Sequence, residues 1–542
     1  MHQTKFIIIT GGVLSGLGKG TATASIARLL KDHKKIVTIK CDGYLNVDPG
    51  TMNPIEHGEV FVLEDGGEVD MDFGHYERFL GLTCKSNWNL TSGKVFSSVI
   101  AKEREGNYLG NTIQIFPHIT DEVKRWWKEI VNAEKPDIVT IEIGGTIGDI
   151  ENSWFVEAAR QLRKQIGHEN IAYIHLTYVP FLDSVGELKT KPAQRDIALL
   201  REKGITPDII ICRSKNPLSQ KIKEKIALFS DVTTNEIISS EDVESIYEIP
   251  LMFKMEKLLD RLNERLNLDS KGNLGEWEKL VNVIKSPKKT VTIAVCGKYT
   301  ELKDSYASIR EALTHAGAHC GVGVNLKWVE TTDIESKNLS IKDALKGADG
   351  VLIPGGFGAR GVEGKINVIK YIRENNIPFL GICYGLQLAV VEFARNVCNL
   401  KGAHTTEIDE KSPHPVIDYI PEQRSVSSKG GTMRLGACKA ILQKGTFVHK
   451  LYNCDEVWER HRHRYEVNPI YHASLQKHGL VLSGISENKR LVEFIEFPNH
   501  PFFVATQAHN ELTSRLETPN PLFFGFVDAI VKKTQQAMNL DN

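Results

Sequence analysis

The sequence predicts an α/β protein made of two doubly wound domains, and three observations support this prediction. The apolar runs are short, rich in Ile and Val, and lack strict alternation with polar residues, which is typical of strands buried on both faces of a parallel sheet. Helical stretches lie between these runs. The chain of 542 residues is also too long for one hydrophobic core.

Each half of the chain carries its own series of elements. In the first half we predict strands near Phe6–Thr10, Ile36–Lys40, Asp137–Ile143, Ile171–Thr177 and Asp208–Cys212, with helices at Thr21–Lys31 and Trp154–Ile166. In the second half we predict strands near Val291–Val295, Val324–Val329, Gly350–Ile353, Phe379–Ile382, Leu491–Phe497 and Phe503–Gln507. A polar stretch with a short helix around Trp277 separates the two series. We therefore expect domains at residues 1–267 and 290–542, joined by a linker at residues 268–289.

Charge and cysteine usage narrow the class of protein. Lys and Arg number 67 against 68 Asp and Glu, which argues against a nucleic-acid binder that works by bulk electrostatics. No apolar run approaches the length of a membrane span. The nine cysteines are scattered without Cys-x-x-Cys spacing, as suits a reducing cytoplasm. We expect a cytoplasmic protein with no nucleic-acid or membrane partner and no disulfide framework.

A glycine-rich loop follows the first predicted strand and precedes a helix. Glycines let several backbone N–H groups point at one anion, and Lys19 adds a full positive charge. The loop departs from Gly-x-x-x-x-Gly-Lys-Ser/Thr, because Val13 replaces the first glycine and Gly20 separates Lys19 from Thr21. The alternative is a tight turn without a ligand. The strand and helix around it favour phosphate binding.

Two carboxylates are candidates for the Mg²⁺ that accompanies a nucleotide. Mg²⁺ prefers one or two carboxylates together with phosphate oxygens. Glu142 lies near the end of an apolar strand, where an unpaired carboxylate would be costly, and Asp72 lies in an acidic segment before Gly74. The alternative for each is an ordinary surface acid.

In the second half, Cys383 lies between a short strand and a helix at a glycine-bounded turn. This is the geometry of a nucleophile elbow, and the helix N-terminus favours the thiolate. Backbone N–H groups after Cys383 and in the segment at residues 354–358 could form an oxyanion hole. The alternative is a buried, inert cysteine.

A cysteine nucleophile needs a base and a group that orients it. His509 and Glu511 are two residues apart near the end of the last predicted strand, where an extended segment would place them on one side. We expect His509 to act as base and acid and Glu511 to hold its tautomer. His461 and His463 form a second cluster, but two histidines without a third ligand are a weak metal signal, so we interpret them as structural.

With these residues assembled, the chain resembles the CTP synthases, which aminate UTP using glutamine and ATP. The resemblance covers essentially the full length, and the second half alone resembles class I glutamine amidotransferases. It rests on the variant phosphate loop and on signature segments at residues 46–52, 57–62, 74–79, 189–192, 430–436 and 460–466.

The resemblance implies a role for each site residue. The ATP site would use Gly16, Leu17, Gly18, Lys19, Gly20, Thr21, Asp72, Glu241, Asp242 and Val243. UTP and the product CTP would contact Ser15, Asp149, Ile150, Glu151, Lys189, Thr190, Lys191, Pro192, Ala193, Gln194 and Lys225. Glutamine would contact Gly356, Tyr384, Gly385, Leu386, Gln387, Glu407 and Arg464, and Mg²⁺ would bind Asp72 and Glu142.

The resemblance also implies the chemistry. ATP would phosphorylate the uracil 4-oxygen in the amidoligase domain, and ammonia from L-glutamine, carried through a tunnel, would displace the phosphate. Lys19 and Lys40 would balance the developing charge. GTP would activate the glutaminase and CTP would inhibit by feedback. A homotetramer, a dimer of dimers, is expected, with filaments as a further form of assembly.

Five positions depart from the usual family residues. Tyr384 replaces leucine, Gly43 replaces proline, and Ala193 replaces threonine, while Ala508 and Asn510 stand where an aromatic residue and proline are usual. Two rival functions remain open from the sequence: an amidotransferase that amidates a carboxylate, as in cobyric acid synthesis, and a nucleotide-binding assembly protein without catalysis. Ammonia-dependent conversion of UTP distinguishes both from a CTP-forming enzyme.

Overall fold

The computed structural model describes residues 3–32, 34–52, 58–298, 303–420 and 433–540. Two predicted signature segments therefore lie partly outside the described residues, at His57 and at residues 430–432. The chain forms two compact units. Unit 1 comprises residues 1–49 and 75–281, and unit 2 comprises residues 50–74 and 282–542. Each unit is described by itself.

The strands, in chain order, are β1 (Lys5–Gly11), β2 (Ile36–Asp42), β3 (Phe61–Val62), β4 (Glu68–Val69), β5 (Asn89–Thr91), β6 (Ile138–Ile143), β7 (Ile171–Tyr178), β8 (Phe181–Leu182), β9 (Glu187–Leu188), β10 (Ile209–Ser214), β11 (Ile237–Glu241), β12 (Thr290–Gly297), β13 (Gly323–Glu330), β14 (Gly350–Ile353), β15 (Phe379–Ile382), β16 (Ala403–Thr405), β17 (His414–Tyr419), β18 (Arg434–Leu442), β19 (Glu456–His463), β20 (Tyr465–Val467), β21 (Val481–Ser486), β22 (Val492–Glu496) and β23 (Phe503–Thr506).

The α-helices of unit 1 span Lys19–Leu30, Ser92–Arg104, Thr120–Glu134, Ser153–Ile166, Lys191–Glu202, Gln220–Ser230, Ile249–Met255 and Leu258–Leu266. The helices Asp72–Leu80 and Gly275–Lys285 each include residues of both units. Those of unit 2 span Ala307–Cys320, Thr331–Glu335, Ile341–Ala344, Val362–Glu374, Tyr384–Asn396, Phe447–Tyr452, His472–Lys477 and Pro521–Leu540. Among the described residues, no helix combines the length and apolar character that a membrane span requires.

Unit 1 is built on a seven-stranded sheet in the order β11-β10-β7-β1-β6-β2-β5, in which every adjacent pair is parallel. The strands are buried on both faces, and Ile7, Ile8 and Ile9 of the central strand β1 have no exposed surface. Because the strands are parallel, their carboxyl ends meet at one edge of the sheet. The loop after β1 lies at that edge.

Unit 2 contains a nine-stranded sheet in the order β13-β12-β14-β15-β23-β22-β21-β18-β19. The pairs from β13 to β23 are parallel, and the pairs from β23 to β19 are antiparallel. The loops after β14, β15 and β23 therefore leave the sheet at one edge. These three loops carry residues 354–358, Cys383 and His509.

The predicted α/β class is confirmed, with a parallel sheet in the first half of the chain. Each predicted strand of the first half lies within two residues of an observed one, and the predicted helix around Trp277 is Gly275–Lys285. The antiparallel strands β18, β19 and β21 were not predicted. Charged residues interrupt β18 and β19, and Ser and Gly interrupt β21, so these strands lack the apolar runs that identified the buried strands.

Candidate functional site

Cys383 occupies a strained turn between β15 and the helix Tyr384–Asn396. Its φ of 50° and ψ of −98° place a non-glycine residue in a sparsely populated region of backbone space. The Cys383 N–H donates to the carbonyl of Thr506 at 2.7 Å, and the flanking Gly385 lies so close to Ile353 that a Cβ would be 2.3 Å from its carbonyl oxygen. The strand, the turn and the neighbouring backbone hold the sulfur at the head of the helix, which is the arrangement that the sequence predicts.

His509 and Glu511 complete a three-residue chain with Cys383. The Nδ1 of His509 lies 2.7 Å from Glu511 Oε1, and His509 is hydrogen-bonded to Cys383. Burial, the largest influence, lowers the pKa of His509, but the negative charges of Glu511 and Cys383 and the hydrogen bonds to both hold that pKa well above its ordinary value. This arrangement favours the imidazolium form of His509.

The backbone around His509 differs from the predicted extended segment. Strand β23 ends at Thr506, and Asn510–Leu512 form a 3₁₀ turn, so Glu511 reaches His509 across a turn and not along one side of a strand. The N–H of His509 donates to the carbonyl of Arg460 at 2.7 Å. The pairing of the two side chains follows from their spacing, whereas the turn follows from packing that the sequence does not display.

The three side chains line a cavity of about 520 Å³ within unit 2. Gly356, Gln387, Glu407 and Arg464, which the resemblance assigns to glutamine, line the same cavity. Gly355 also lines it, and a Cβ there would lie 2.8 Å from His509 Cε1, so only glycine leaves room beside the base. The predicted Tyr384, Gly385 and Leu386 are instead buried in the first turn of the helix behind Cys383.

Glu407 is one of the acidic residues that line this cavity. Its Oε1 accepts the N–H of Gly358 at 2.7 Å, and burial raises the pKa of its carboxyl group. Lys298, which also lines the cavity, lies with Nζ 4.4 Å from the ring centroid of Phe357. The cavity therefore combines an acid and bases with a nucleophile, as a site for an amino acid would require.

The phosphate loop of unit 1 is shaped by glycines and by Lys19. Gly16 and Gly18 have φ values of 74° and 83°, in the left-handed region that glycine adopts without strain. The Nζ of Lys19 donates to the Gly145 carbonyl at 2.7 Å, and its side chain packs so closely on Gly11 that a Cβ there would lie 2.8 Å from Lys19 Cδ. The loop leads into the helix Lys19–Leu30, whose N-terminus faces the same edge.

Glu142 is a buried carboxylate at this edge of the sheet. It is 1% exposed and stands opposite Ile9 of β1 in the pairing register. Its Oε1 accepts from Lys40 Nζ at 2.8 Å, and its Oε2 accepts from the Tyr76 hydroxyl at 2.5 Å. The expected partner for a buried acid is therefore present, and carboxylate oxygens at the end of β6 fit the hard donors that Mg²⁺ prefers. Asp72 belongs to unit 2, so its pairing with Glu142 around one ion stays a prediction.

Family models match both halves of the chain. The model described as "CTP synthase N-terminus" matches residues 5–268, and "Glutamine amidotransferase class-I" matches residues 301–529. A curated CTP synthase from Methanocaldococcus jannaschii is 54% identical over 98% of this chain and 99% of its own length. Those from Pyrococcus furiosus and Borreliella burgdorferi are 52% and 51% identical, over 99% and 97% of this chain and 100% and 99% of their own lengths.

The chain belongs to the CTP synthase family. It is a ligase of the class that serves pyrimidine biosynthesis, and it carries a class I glutamine amidotransferase domain. Among solved structures, the glutaminase domain of Trypanosoma brucei CTPS with bound acivicin is 35% identical. It covers 45% of this chain and 94% of that chain, with a TM-score of 0.43.

The first segment that the CTP synthase resemblance assigns to nucleotides adjoins the phosphate loop. The loop at residues 145–152 contacts it through Lys19, and Asp149 accepts the N–H of Thr146 at 2.6 Å. Ile150 is 78% exposed, as a contact residue for a ligand would be. A Cβ on Gly43 would lie 2.3 Å from Asn152 Oδ1, which explains why a larger residue is excluded where the family usually has proline.

The second nucleotide segment begins the helix Lys191–Glu202, with Thr190 as its N-cap and Pro192 in its first turn. Gln194 Nε2 donates to Thr190 Oγ1 at 3.2 Å, and Lys189 forms an ion pair with Glu187. The pKa of Glu187 is lowered first by its hydrogen bond to Lys189 and also by the charge of Lys225, which places Lys225 near this segment.

Ala193, which stands where threonine is usual in the family, is buried in the core of unit 1. Its side chain has no exposed surface and packs in a hydrophobic cluster with Val179, Ile197 and Ile210. The methyl group therefore contacts the core of unit 1. The replacement of threonine changes packing there, and the contact of this position with a nucleotide stays a prediction.

Two residues beside the phosphate loop were missed by sequence reasoning. Asp196 is 1% exposed, and its carboxylate accepts the N–H of Val13 at 3.3 Å and the Thr177 hydroxyl at 2.7 Å. Arg213, at the end of β10, bonds Asp242 Oδ1 at 2.9 Å, and its Nη1 would lie 3.5 Å from a Cβ on Gly18. Arg213 thus stands between the loop and the predicted ATP residues Glu241, Asp242 and Val243. The available signal was its position, a charged residue ending an apolar strand.

Gln507 was missed in the glutaminase cavity region. It is fully buried, its Nε2 lies 3.6 Å from Cys383 Sγ, and its Oε1 accepts from Gln387 Nε2 at 3.3 Å. It precedes His509 by two residues, so a polar residue at the end of the last core strand was the signal.

A cavity of about 810 Å³ in unit 1, lined by residues such as Arg163, Asp208 and Arg265, has none of the predicted site residues in its lining.

The histidine cluster of β19, which we interpret from the sequence as structural, is buried in a polar network. His461 Nδ1 lies 2.9 Å from His463 Nε2, and both rings are buried beside an ionic network in which Arg434 binds Glu466 and Glu493. Burial, the largest influence, lowers the pKa of both histidines well below the ordinary value. Across the described residues, no group of three or more His, Cys, Asp or Glu side chains is arranged to hold a metal ion.

Tyr384 changes packing next to the nucleophile without removing a backbone donor. Its ring is buried, its hydroxyl donates to the Gly358 carbonyl at 3.1 Å, and the Nζ of buried Lys365 lies 5.3 Å from the ring centroid. Burial lowers the pKa of Lys365 to about 8. The tyrosine therefore ties the loop at residues 355–358 to the helix that begins at the nucleophile.

Proposed function

We propose that unit 2 releases ammonia from L-glutamine and that unit 1 uses this ammonia, with ATP, to convert UTP to CTP. The observation that carries this proposal is the cavity in which Cys383, His509 and Glu511 meet residues suited to an α-amino acid. Family membership over nearly the whole chain supports the second half of the proposal and favours it over amidation of a carboxylate.

The glutaminase steps follow from the arrangement of the three side chains. The Cys383 thiolate attacks the carboxamide carbon, and the N–H of Tyr384, with N–H groups near Gly355, stabilises the oxyanion. His509 gives its proton to the leaving nitrogen, so ammonia departs and a thioester remains. Water, deprotonated by His509, then hydrolyses the thioester to glutamate and the thiolate. Glu511 keeps His509 oriented throughout.

Recognition of glutamine requires a partner for its ammonium group and another for its carboxylate. We assign the substrate's ammonium group to Glu407 and its carboxylate to Arg464, because both side chains line the cavity that contains Cys383. Gln387 lies in the same wall, with Nε2 donating to the Tyr465 carbonyl at 3.0 Å. We therefore expect the side-chain amide of glutamine to point toward the sulfur.

In unit 1, we assign the triphosphate of ATP to the loop at residues 15–21. The γ-phosphoryl group passes to the uracil 4-oxygen, and ammonia then attacks C4 and expels phosphate, so a poor leaving group becomes a good one. Lys19 and Lys40 offset the developing negative charge. Mg²⁺, when bound, would neutralise phosphate charge, and Glu142 and Asp72 are the residues that we propose hold it.

We further propose the regulation and assembly that the family resemblance implies. GTP activates glutamine hydrolysis, CTP inhibits by occupying the nucleotide segments at residues 149–151 and 189–194, and the enzyme works as a cytoplasmic homotetramer that can extend into filaments. The exposed surface of Ile150 and the position of the first of these segments beside the phosphate loop support a shared UTP and CTP site.

One assay tests the proposed function directly. The chain is incubated with UTP, ATP and Mg²⁺, first with glutamine and then with ammonium, and nucleotide products are separated by chromatography. We expect CTP from both nitrogen sources. Absence of CTP with ammonium would refute the assignment of unit 1. If ammonium gives CTP but glutamine does not, the assignment of unit 2 is refuted.

A further inference from the structure

A buried hydrogen-bonded chain ends one residue from the proposed base of unit 2. It consists of Asn510, Tyr452 and Glu459. Asn510 is 1% exposed, and its Nδ2 donates to the Tyr452 hydroxyl at 2.7 Å. The Tyr452 hydroxyl in turn donates to Glu459 Oε1 at 2.5 Å. None of the sequence motifs pointed to Tyr452 or Glu459, because they act through contacts that only the fold creates.

The Glu459 carboxylate accepts further hydrogen bonds from the segment that follows His509. Its Oε2 accepts from Thr513 Oγ1 at 3.0 Å, and its Oε1 accepts from Asn520 Nδ2 at 2.9 Å. Glu459 is 4% exposed, and burial raises the pKa of its carboxyl group. A buried acid with this many donors is held in one geometry, so the groups bonded to it share that geometry.

The same strand also holds the backbone of the base. Glu459 and Arg460 are neighbours in β19, and the Arg460 carbonyl accepts the N–H of His509 at 2.7 Å. Strand β19 therefore holds the segment around His509 at two places. The Arg460 carbonyl bonds the backbone of His509 directly, and Glu459 bonds Tyr452, which bonds the side chain of Asn510. His509 and Glu511 lie on either side of Asn510, so movement of Asn510 would change the distance between the base and its orienting acid.

We infer that Asn510, Tyr452 and Glu459 are positioning residues for glutamine hydrolysis, which hold the 3₁₀ turn Asn510–Leu512 so that Glu511 and His509 face Cys383. The inference rests on the proposed function of unit 2. Purely structural hydrogen bonds would stabilise the fold without affecting turnover. A positioning role instead predicts a loss of kcat, because misplacement of a catalytic group by about 1 Å can cost roughly a hundredfold in rate.

The test uses Tyr452→Phe, which removes one hydroxyl and keeps the ring against Phe494. The matched control is Tyr471→Phe, which removes a hydroxyl from the turn Pro469–Tyr471 elsewhere in unit 2. Glutamine hydrolysis is measured per active site, with active sites counted by end-point labelling of Cys383 with a diazoketone analogue of glutamine. We expect kcat per labelled site to fall by about tenfold to a hundredfold in Tyr452→Phe, with KM for glutamine little changed.

A second variant covers the case in which Tyr452→Phe does not fold. Asn510→Leu removes the amide at the other end of the chain and should lower kcat to a similar extent. The double variant should lose no more than the worse single variant, since both act through one chain of bonds. CTP formation from ammonium should stay normal in every variant.

The outcomes separate this inference from the proposed function. If Cys383→Ala still hydrolyses glutamine, the proposed function of unit 2 fails and the inference fails with it. If Cys383→Ala is inactive but both Tyr452→Phe and Asn510→Leu keep kcat per labelled site within twofold of the Tyr471→Phe control, the inference alone is overturned.

Discussion

At the scale of single residues, the account depends on His509 as the base. A positioned general base contributes on the order of 10²–10⁴-fold, so His509→Ala should lose about that much glutamine hydrolysis. The exposed His478 in the same unit provides a matched control, and His478→Ala should hydrolyse glutamine normally. Glutamate release measured for both variants decides the point. Equal rates in the two variants would show that His509 is not the base.

The pH dependence of the reaction reports on Glu511. Burial lowers the pKa of His509, but the charges of Glu511 and Cys383 raise it well above its ordinary value. Because the charge of Glu511 favours the imidazolium, Glu511→Gln should lower this pKa, and the proton needed by the leaving nitrogen should be lost at lower pH. We therefore expect slower glutamine hydrolysis whose decline on the alkaline side begins at lower pH than in the wild type. An alkaline limb that stays in place or moves to higher pH contradicts the assignment.

The sequence pointed to Cys383, His509 and Glu511 because the chemistry that we propose for them shows in short motifs. Cys383 has an elbow around it, and His509 and Glu511 have the spacing of a base and its orienting group. Gln507, Tyr452 and Glu459 have no such motif, since their roles arise from contacts across the fold. The burial of Ala193 could not be read from the sequence for the same reason: whether its methyl group faces the core depends on the rotation of a helix in the folded unit.

At the scale of elements, the proposed formation of CTP in unit 1 depends on the phosphate loop. Lys19 leaves a strand-to-helix loop whose glycines already adopt left-handed backbone angles. In the mechanism that we propose, both sources of ammonia feed the same phosphorylated intermediate, so Lys19→Ala should abolish CTP formation from glutamine and from ammonium alike. Labelling of Cys383 by the diazoketone analogue should survive, because the nucleophile lies in the other unit.

The control for this element is Lys279→Ala, which removes a surface lysine of the same unit from the helix Gly275–Lys285. It should synthesise CTP at the wild-type rate. Near-normal CTP formation from ammonium in Lys19→Ala would show that this loop is not the ATP site.

Strands with long apolar runs were predictable, and the strongly charged strand β19 was not. The runs in β1, β6 and β7 are largely apolar, so their strands were placed to within two residues. Strand β19 reads Glu-Val-Trp-Glu-Arg-His-Arg-His and is buried largely through ion pairs and hydrogen bonds. Local sequence gives no sign of partners such as Glu493, which lies 30 residues or more away in the chain.

At the scale of the whole molecule, unit 2 takes in residues 50–74, which interrupt unit 1 in the sequence. A polar stretch marks the boundary between the units near residue 282. Residues 50–74 have no linker-like composition at either end, so the sequence offered no signal that they belong to unit 2. The predicted division at residues 267 and 290 therefore stays a prediction for the organisation of the chain.

Assembly should respond to nucleotide if the UTP site is completed by neighbouring subunits. A ligand present at 100 times its Kd stabilises the form that binds it by about 2.7 kcal/mol. UTP with ATP and Mg²⁺, or CTP alone, should thus shift the chain from dimer to tetramer in sedimentation experiments. Glutamine alone should leave the distribution unchanged. A complete tetramer without any nucleotide would contradict this coupling.

The central claim is that one chain carries two separable activities, ammonia release in unit 2 and ammonia use in unit 1. The most direct test is Cys383→Ala, assayed for CTP formation from UTP and ATP with glutamine and with ammonium in parallel. The account predicts no CTP from glutamine and a wild-type rate from ammonium, since Cys383 takes no part in the chemistry of unit 1. Equal loss of both activities in a folded variant would contradict it.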